Sequence, residues 1–407
     1  MAALGPFGPA PHLAAGVSGG PDSMALALLA DRWARDNGGS LVALIVDHGL
    51  RPESCQEAAL AAARLAERGI QAQLLPITGL LRGPALAERA RRARFAVLET
   101  ACREAGIVHL LLGHHAADQA ETVLMRSLSD SGPVGMAGML PLLELAWLRL
   151  LRPLLMFPPA RLRATLAAAR VECIEDPSNM DAAALRPRLR MLRRDRDGIG
   201  GATAALLATA TAAGRRRAAR AIAAAAALAE EVVVRPEGYS VLSGRPVSSD
   251  VLAAVLQALS GAAYPPAPRS VTAVAAALRP ATLAGVQLLP AGRLGPGLLA
   301  VREAAAMALP IVAQPDTIWD GRFRLLGDSS VPSGAMLGAL GRDAAQFREF
   351  SPLPSAVLRT LPAVRLGARI HAVPHLGFPD RRTCESLSLL FCPPRAAAPP
   401  SFPFGDA

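Results

Sequence analysis

The sequence predicts an α/β protein, with a doubly wound parallel sheet in its N-terminal part and a smaller helical and α+β region after it. Two observations support this fold class. Apolar runs of strand length occur at 13–17 and 41–46, and 108–112 is a third clear strand, apolar except for His109; continuous apolar runs such as 41–46 are typical of parallel strands that are buried on both faces. Segments of helical length separate the runs, and repeated strand-helix alternation favours a doubly wound sheet.

Glycine stop signals define most of the predicted helix ends. In the first half we expect helices at 25–35, 52–68, about 85–105 and 159–170, which end near Gly38, Gly69, Gly106 and Arg170, and shorter strands at 73–76 and 147–151. In the second half we expect a long alanine-rich helix at 202–231, helices near 250–260 and 270–278, and short strand-like pieces after Thr317.

Composition limits the classes of protein that the chain can represent. A hydrophobic content of 52% excludes a largely disordered protein. The net charge is +10 and every one of the 43 basic side chains is an arginine, which suits a polyanionic partner such as nucleic acid. The apolar stretch 222–228 is too short to span a bilayer and the N-terminus lacks a basic signal-peptide start, so we expect no membrane association and a cytoplasmic location. The five cysteines show no CxxC spacing, and we expect them to be reduced.

The most informative stretch is Ser18-Gly19-Gly20-Pro21-Asp22-Ser23, which joins the first strand to the first helix. A glycine-rich turn at a helix N-terminus leaves backbone N–H groups free to bind an anion. The two serines add hydroxyl donors, and Asp22 can hold the Mg²⁺ that accompanies a polyphosphate. We therefore interpret the stretch as a phosphate-binding loop rather than an ordinary capped turn. The lysine of a Walker A loop is absent.

Polar residues also follow the other apolar strands, where ligands of doubly wound sheets bind. Asp47 and His48 follow the second strand, and His114 and His115 follow the strand at 108–112. Asp118, Glu121 and Thr122 then fall at i, i+3 and i+4, which places them on one helix face. We expect these groups to share one nucleotide site with the loop 18–23.

The loop 18–23 resembles the SGGxDS loop of the N-type ATP pyrophosphatases, the PP-loop superfamily, which split ATP into AMP and pyrophosphate while adenylating a substrate. Further segments resemble the tRNA(Ile)-lysidine synthase family in order and spacing, strongly in the first half of the chain and more weakly later. These segments are 47–54, 90–95, 118–122, 132–139, 152–154 and 175–179, followed by 282–286, 301–303 and 319–323.

The resemblance implies an adenine-nucleotide alpha-hydrolase-like fold and a specific reaction. ATP, with Mg²⁺, would activate C2 of the wobble cytidine in the CAU anticodon of tRNA(Ile), and the amine of L-lysine would displace AMP to form lysidine. That change converts codon reading from AUG to AUA. The resemblance leaves a homodimer open as the assembly.

Site roles carried over from the resemblance fall into four groups. The catalytic group is Asp22, Asp118, Glu121 and Arg190; the ATP-binding group is Ser18, Gly19, Gly20, Pro21, Asp22, Ser23, Asp47, His48 and His115; the tRNA and substrate group is Arg91, Arg94, Asp176, Asn179, Arg186 and Arg188; the metal ligands are Asp22 and Asp118.

The alanine-rich helix at 202–231 marks a boundary between domains. We expect a catalytic PP-loop domain at 1–195, a linker helix at 196–235, a small substrate- or tRNA-binding domain at 236–310, a β-rich unit at 311–392 and a disordered tail at 393–407.

Two positions depart from the family pattern. Ala117 stands where the HxxDDQxET element has the first of two adjacent acids, and the loop after Leu128 lacks a common arginine-glycine pair. Asp47, Asp176 or Asp181 could replace the missing carboxylate. Two alternative functions therefore stay open: another PP-loop enzyme acting on tRNA, for example in thiolation, and a catalytically impaired tRNA-binding homologue.

Overall fold

The first part of the chain is built on a six-stranded sheet in the order β3-β2-β1-β4-β6-β5. Neighbouring strands are parallel throughout, except that β5 and β6 form an antiparallel pair. The predicted α/β class with a mostly parallel sheet is thereby confirmed. The strands are β1 (His12–Val17), β2 (Ser40–Asp47), β3 (Gln71–Pro76), β4 (His109–Leu112), β5 (Leu142–Glu144) and β6 (Arg149–Leu151).

The computed structural model describes residues 1–50, 53–79, 83–129, 131–145, 147–174, 185–243, 246–326 and 331–395. Within it the chain divides into two compact units, Met1–Ala218 and the residues from Ala219 onward. None of the described helices combines the length and the apolar content that a membrane span requires.

Both faces of the parallel sheet are buried, as the apolar runs predict. Leu13, Ala15 and Val17 of β1 belong to one hydrophobic cluster, whereas Ala14 belongs to the cluster on the opposite face. The helices that follow along the chain are α1 (Pro21–Asp36), α2 (Ser54–Ala66), α3 (Leu86–Glu104), α4 (Ala116–Leu128), α5 (Gly132–Gly135), α6 (Pro159–Ala169), α7 (Leu185–Arg193) and α8 (Gly201–Glu231). Of these, α1, α2 and α3 pack on the strands, and α6 packs on α1.

Some element bounds differ from the sequence expectation. Helix α1 begins at Pro21 rather than at residue 25, because proline is favoured in the first turn of a helix, where its missing N–H is not needed. The stretch 132–139, one of the segments that carry the resemblance, begins with the short helix α5. The strand expected at 147–151 is reduced to Arg149–Leu151.

Strand β1 lies in the middle of the sheet, between β2 and β4. The chain leaves β1 toward β2 on one side, whereas β4 pairs with β1 on the other. This reversal of direction creates a crevice at the carboxyl ends of β1 and β4, which is where ligands bind in such sheets. The loop after Val17 and the segment after Leu112 both open into it.

The second unit contains antiparallel sheets, and α8 runs across the division between the units. A five-stranded sheet has the order β7-β8-β11-β10-β9, a four-stranded one β12-β15-β16-β17 and a three-stranded one β13-β14-β18. The strands are β7 (Val232–Arg235), β8 (Tyr239–Leu242), β9 (Ala281–Leu283), β10 (Val286–Pro290), β11 (Leu298–Arg302), β12 (Ile311–Val312), β13 (Ile318–Trp319), β14 (Phe323–Leu325), β15 (Ala335–Ala339), β16 (Pro362–Leu366), β17 (Arg369–Ala372) and β18 (Leu389–Phe391). The helices are α9 (Ser249–Ser260), α10 (Pro268–Ala276), α11 (Ser355–Leu358) and α12 (Arg381–Ser386).

A buried ion cluster lies inside this second unit. Asp320 accepts hydrogen bonds from Arg322 Nε at 2.8 Å and from Arg302 Nε at 3.1 Å, and the Arg322 side chain is fully buried. A buried charge requires such pairing. The segment 319–323, singled out by the resemblance, therefore contributes to the core of this unit.

Glycine at position 39 is required by the turn between α1 and β2. A Cβ atom there would lie 2.1 Å from the Pro11 carbonyl oxygen, and that same oxygen accepts a hydrogen bond from Ser40 N at 3.0 Å. We expect Gly39→Ala to lower the free energy of unfolding by about 1–3 kcal/mol through overpacking, measured by urea denaturation. Gly201→Ala is the matched control, because nothing lies within 4 Å of its added Cβ. Equal stability of the two variants would contradict the steric argument.

Candidate active site

The loop 18–23 is held by hydrogen bonds between its own residues. Ser18 N donates to Ser23 Oγ at 3.1 Å, and Ser23 Oγ donates to the Gly20 carbonyl at 3.0 Å. Gly20 is the N-cap of α1 and has no side chain with which to cap it. The first N–H groups of the helix therefore remain available for an external acceptor.

Gly19 fixes the path of this loop. Its φ is +79°, and an added Cβ would lie 2.9 Å from Ile174 Cδ1. Ile174 N donates to the Gly19 carbonyl at 2.9 Å, so the backbone at 174 packs directly against the loop. A residue with a side chain does not fit this position without strain.

Helices α1 and α4 begin next to each other at the crevice. A Cβ on Gly113, at the end of β4, would lie 3.2 Å from the backbone of Asp22 and Ser23. His115 is the N-cap of α4, and its Nε2 lies 3.3 Å from Asp22 Oδ2. The predicted convergence of the first loop with the segment after β4 is therefore present.

A capping box sets the tautomer of His115. Its Nδ1 accepts a hydrogen bond from Asp118 N at 3.3 Å, while Asp118 Oδ2 accepts one from His115 N at 3.1 Å. With Nδ1 acting as an acceptor, the ring proton lies on Nε2 and is donated to Asp22. Burial of the ring is the largest influence on the pKa of His115 and lowers it, but the hydrogen bond to Asp22 and the charges of Asp118 and Asp22 together raise that pKa above its ordinary value.

The two carboxylate oxygens of Asp22 differ in their contacts. Oδ2 contacts His115, whereas Oδ1 is buried and has no hydrogen-bond partner among the described residues. A buried carboxylate oxygen without a partner is costly, and it is a suitable ligand for a hard cation. No cluster of three or more His, Cys, Asp or Glu side chains in the described part of the chain could hold a metal ion alone. This donor set fits Mg²⁺, which usually takes one or two carboxylates and completes its shell with phosphate oxygens and water.

Arg190 of α7 binds both acids of α4. Its Nε donates to Glu121 Oε1 at 2.7 Å, and its Nη2 donates to Asp118 Oδ1 at 3.2 Å and to Glu121 Oε2 at 3.3 Å. Glu121 is fully buried, whereas the Arg190 side chain retains 38% of its exposure. The three predicted residues therefore form one ionic cluster, in which only Arg190 and part of Asp118 face outward.

Other predicted residues lie around the crevice or outside the described chain. Asp47 is the last residue of β2, and its Oδ1 accepts hydrogen bonds from Gly49 N at 2.9 Å and from Ser54 Oγ at 2.6 Å. This oxygen therefore stabilises the loop that follows β2. The next residue, His48, is half-buried. Arg91 and Arg94 of α3 lie over the Phe95 ring at 5.1 and 5.9 Å. On α7, Arg186 is half-buried and Arg188 is exposed. The predictions for Asp176, Asn179 and Asp181 lie outside the described residues.

Gln119 and Arg126 hold the glycine-rich segment 132–139, a role that the sequence interpretation missed. Gln119 Oε1 accepts from Met139 N at 2.7 Å, and Arg126 Nη1 donates to the carbonyls of Gly135 and Gly138 at 2.8 and 2.7 Å. A Cβ on Gly138 would lie 2.5 Å from Gln119 Oε1. In the sequence, Gln119 directly follows Asp118, and this position was the one signal that could have indicated a role for Gln119 at the site.

Arg152 adds positive charge close to His114, which the sequence places at the site, and Arg152 itself was missed as a site residue. Arg152 is buried and donates from Nη1 to the Leu140 carbonyl at 2.6 Å. Burial, followed by the charge of Arg91, lowers its pKa to about 10. Burial and then the charge of Arg152 lower the pKa of His114 to about 4. His114 is therefore neutral at physiological pH, while Arg152 stays charged.

Comparison with known proteins was decisive for the family. Residues 4–194 match the ATP-binding PP-loop domain family. A tRNA(Ile)-lysidine synthase of Bradyrhizobium sp. is 46% identical over 189 residues, which cover 46% of this chain and 53% of that relative. One from Ruegeria pomeroyi is 33% identical over 389 residues, covering 93% of this chain and 91% of the relative. The chain belongs to the tRNA(Ile)-lysidine synthase family.

Coverage differs among the members of this family that the chain matches. A Mesorhizobium japonicum member is 34% identical and aligns over 90% of this chain and 84% of its own length. For the Bradyrhizobium and Rhodopseudomonas palustris members, the chain spans only about half the length of the relative, 53% and 54%. The solved U34-tRNA thiolase NcsA from Methanococcus maripaludis has 17% identity and a TM-score of 0.42, over 50% of this chain and 73% of that one, and this likeness is too weak to carry an argument.

The buried Glu121–Arg190 pair predicts a measurable loss of stability when its charge is removed. We expect Glu121→Gln to lower the free energy of unfolding by about 2–4 kcal/mol, because Arg190 and its neighbours would lose a buried counter-charge. Asp250→Asn is the control: it removes the acid of the exposed Arg220–Asp250 pair, with 53% and 38% of the side chains accessible, and should change stability by under about 1 kcal/mol. Chemical denaturation measures both. Similar losses in the two variants would contradict the importance of burial.

Proposed function

We propose that this chain is a ligase that uses ATP to adenylate C2 of the wobble cytidine in the CAU anticodon of tRNA(Ile) and then attaches L-lysine. The family assignment over nearly the whole chain supports the reaction class. The observation that carries the proposal within the site is the unpartnered, buried Oδ1 of Asp22 beside the open N-terminus of α1. A helix N-terminus that binds phosphate and a carboxylate that binds Mg²⁺ are the two elements that cleavage of ATP needs.

In the proposed mechanism, Asp22 would hold Mg²⁺, which would supply positive charge to offset that of the departing pyrophosphate. Backbone N–H groups at the start of α1 and the hydroxyl of Ser18 would bind the phosphates, while Ser23, whose hydroxyl proton goes to the Gly20 carbonyl, would hold the loop in shape. His115 keeps Asp22 oriented by donating its Nε2 proton to Oδ2. Preorganised donors of this kind stabilise charge in the transition state without reorganisation.

Burial separates the roles of the acids on α4. Glu121 is fully buried, so we propose that it acts through Arg190, whose guanidinium it orients. Arg190 would then contact the phosphate of the adenylated intermediate, as a fixed guanidinium suits phosphate. Asp118 keeps 13% of its side chain accessible, and we propose that it attracts the ammonium group of L-lysine and helps deprotonate it, or contributes to the metal site.

Arginines near the crevice support a nucleic-acid substrate. Arg91, Arg186 and Arg188 are at least partly exposed, and the chain carries a net charge of +10. We propose that these side chains, with Arg94, contact tRNA phosphates, which is where most protein–nucleic acid hydrogen bonds are made.

The alternative of tRNA thiolation needs a reactive thiolate to transfer sulfur. Cys102 does not suit that role, because burial, the largest cause, and the charge of Glu99 raise its pKa to about 12, and the sequence has no CxxC pair. The alternative of an impaired homologue predicts tRNA binding without turnover, and the assay below separates it from the ligase.

The reaction itself is the first test. The chain is incubated with CAU-anticodon tRNA(Ile), ATP, Mg²⁺ and labelled L-lysine, and we expect label in tRNA together with stoichiometric AMP. The same tRNA with uridine at the wobble position is the control and should remain unlabelled. Binding of tRNA without AMP release would overturn the proposal in favour of an impaired homologue.

Asp22→Asn tests the phosphate-binding loop. The amide cannot supply the anionic oxygen that Mg²⁺ requires, so we expect AMP formation to fall by about a thousandfold, while the Kd for tRNA, measured by filter binding, changes little. Asp31→Asn is the matched control on the same helix, because Asp31 pairs with Arg35 at 2.8 Å. Turnover by Asp22→Asn within about tenfold of the unmodified chain would contradict the role given to Asp22.

A further inference from the structure

Arg193, the last residue of α7, is a buried cation next to the Glu121–Arg190 pair. Only 7% of its side chain is accessible, and its Nη1 lies 3.9 Å from Glu121 Oε1. The same oxygen accepts the Arg190 Nε hydrogen bond at 2.7 Å. Two arginines therefore compete for one carboxylate oxygen.

Asp195 contacts the other side of Arg193. Its Oδ2 lies 3.7 Å from Arg193 Nη2. The Thr203 hydroxyl links the two groups, since it accepts from Arg193 Nη2 and donates to Asp195 Oδ2. The distances to Glu121 and Asp195 are nearly equal, so the two acids attract the guanidinium with comparable strength.

The Asp195 carboxylate is itself held in place by backbone. It accepts hydrogen bonds from Ile199 N at 3.2 Å and from Gly200 N at 3.1 Å. These bonds close the loop 195–200, whose Gly198 has a φ of +67° and lies against Pro159. The carboxylate is therefore a fixed charge and not a mobile surface acid.

On the α4 side, the contacts described for Arg193 are with the Glu121 carboxylate and with one backbone oxygen. Its Nη1 donates to the Ala117 carbonyl at 3.4 Å, and the Ala117 side chain is a buried methyl. An added Cβ on Gly198 would lie 3.6 Å from that methyl. Within the described residues around Arg193, the second carboxylate therefore comes from Asp195 and not from position 117.

We propose that Asp195 is a positioning residue for the ligase: it balances the charge of Arg193 so that Glu121 stays bonded to Arg190. This inference rests on the proposed function, because the effect is expected on its catalytic rate. Without the charge of Asp195, Arg193 is drawn toward Glu121, which is the only other carboxylate that the described residues place at that distance, and the Glu121–Arg190 geometry is disturbed. Asp195 touches neither ATP nor tRNA in this scheme.

Asp195→Asn is the decisive variant, because the amide oxygen keeps the acceptor for Thr203 and Gly200 N, while the change removes the charge and the acceptor for Ile199 N. We expect kcat for lysine transfer to fall by about tenfold or more, as for other outer partners of a catalytic group. The KM for ATP and the Kd for tRNA should stay within about twofold, because the binding groups are untouched. A kcat above half that of the unmodified chain would overturn the inference.

A double-mutant cycle distinguishes positioning through Arg193 from a general structural role. In an Arg193→Leu background there is no guanidinium to balance, so Asp195→Asn should change kcat by less than about twofold. An equal loss in both backgrounds would overturn the inference. If Asp195→Asn does not fold, Asp195→Ser replaces it in the same cycle, since it also removes the charge and leaves a hydroxyl as a hydrogen-bond acceptor.

Asp197→Asn is the matched control. Asp197 lies in the same loop and pairs with Arg163 at the surface, with 61% of its side chain accessible, so kcat should stay within about twofold of the unmodified chain. An unmodified chain that releases no AMP would overturn the proposed function and this inference with it. An active chain whose Asp195→Asn variant is equally active overturns the inference alone.

Discussion

The site depends on the contact between the first turns of α1 and α4. These helices follow β1 and β4, the two strands on either side of the point where the sheet reverses direction. Gly113 allows the backbones to approach, and the hydrogen bond from His115 to Asp22 joins the two helix starts. Both helix dipoles therefore direct their positive ends into one crevice, and the carboxylates of Asp22 and Asp118 lie where that field is strongest.

The charged groups of the crevice have two roles, which depend on their burial. Buried groups hold other side chains in place, and accessible groups can bind a ligand. Glu121 has no accessible surface and is fully used by arginines, whereas Arg190 keeps its outer face free. A buried acid that fixes a half-exposed guanidinium is a rigid arrangement, because the acid has only a few rotamers and no water to pair with. Such rigidity favours a site that must orient a phosphate and a base at once.

Much of this arrangement could be predicted from the sequence, but the pairing of charges could not. The loop 18–23 and the alternation of apolar strands and helices are local patterns, and the structure contains both. The partners Glu121 and Arg190 are 69 residues apart, and nothing in the spacing of either segment indicates that they meet. Asp195 was missed for the same reason, since its role depends on the loop 195–200 folding back onto Arg193. Asp47, which was considered as a replacement for the acid missing at Ala117, uses its Oδ1 within its own loop.

The chain uses arginine and no lysine, so its buried cations stay protonated where a buried lysine would lose its proton. Burial lowers the pKa of both Arg152 and Arg322 to about 10, which still leaves them protonated throughout the physiological range. The ordinary pKa of lysine is about two units lower than that of arginine. The same burial would therefore bring the pKa of a lysine close to physiological pH and make its charge dependent on pH. The charge that arginines contribute to the interior of this chain is therefore fixed by covalent structure, and ordinary changes in cellular pH leave it unaltered.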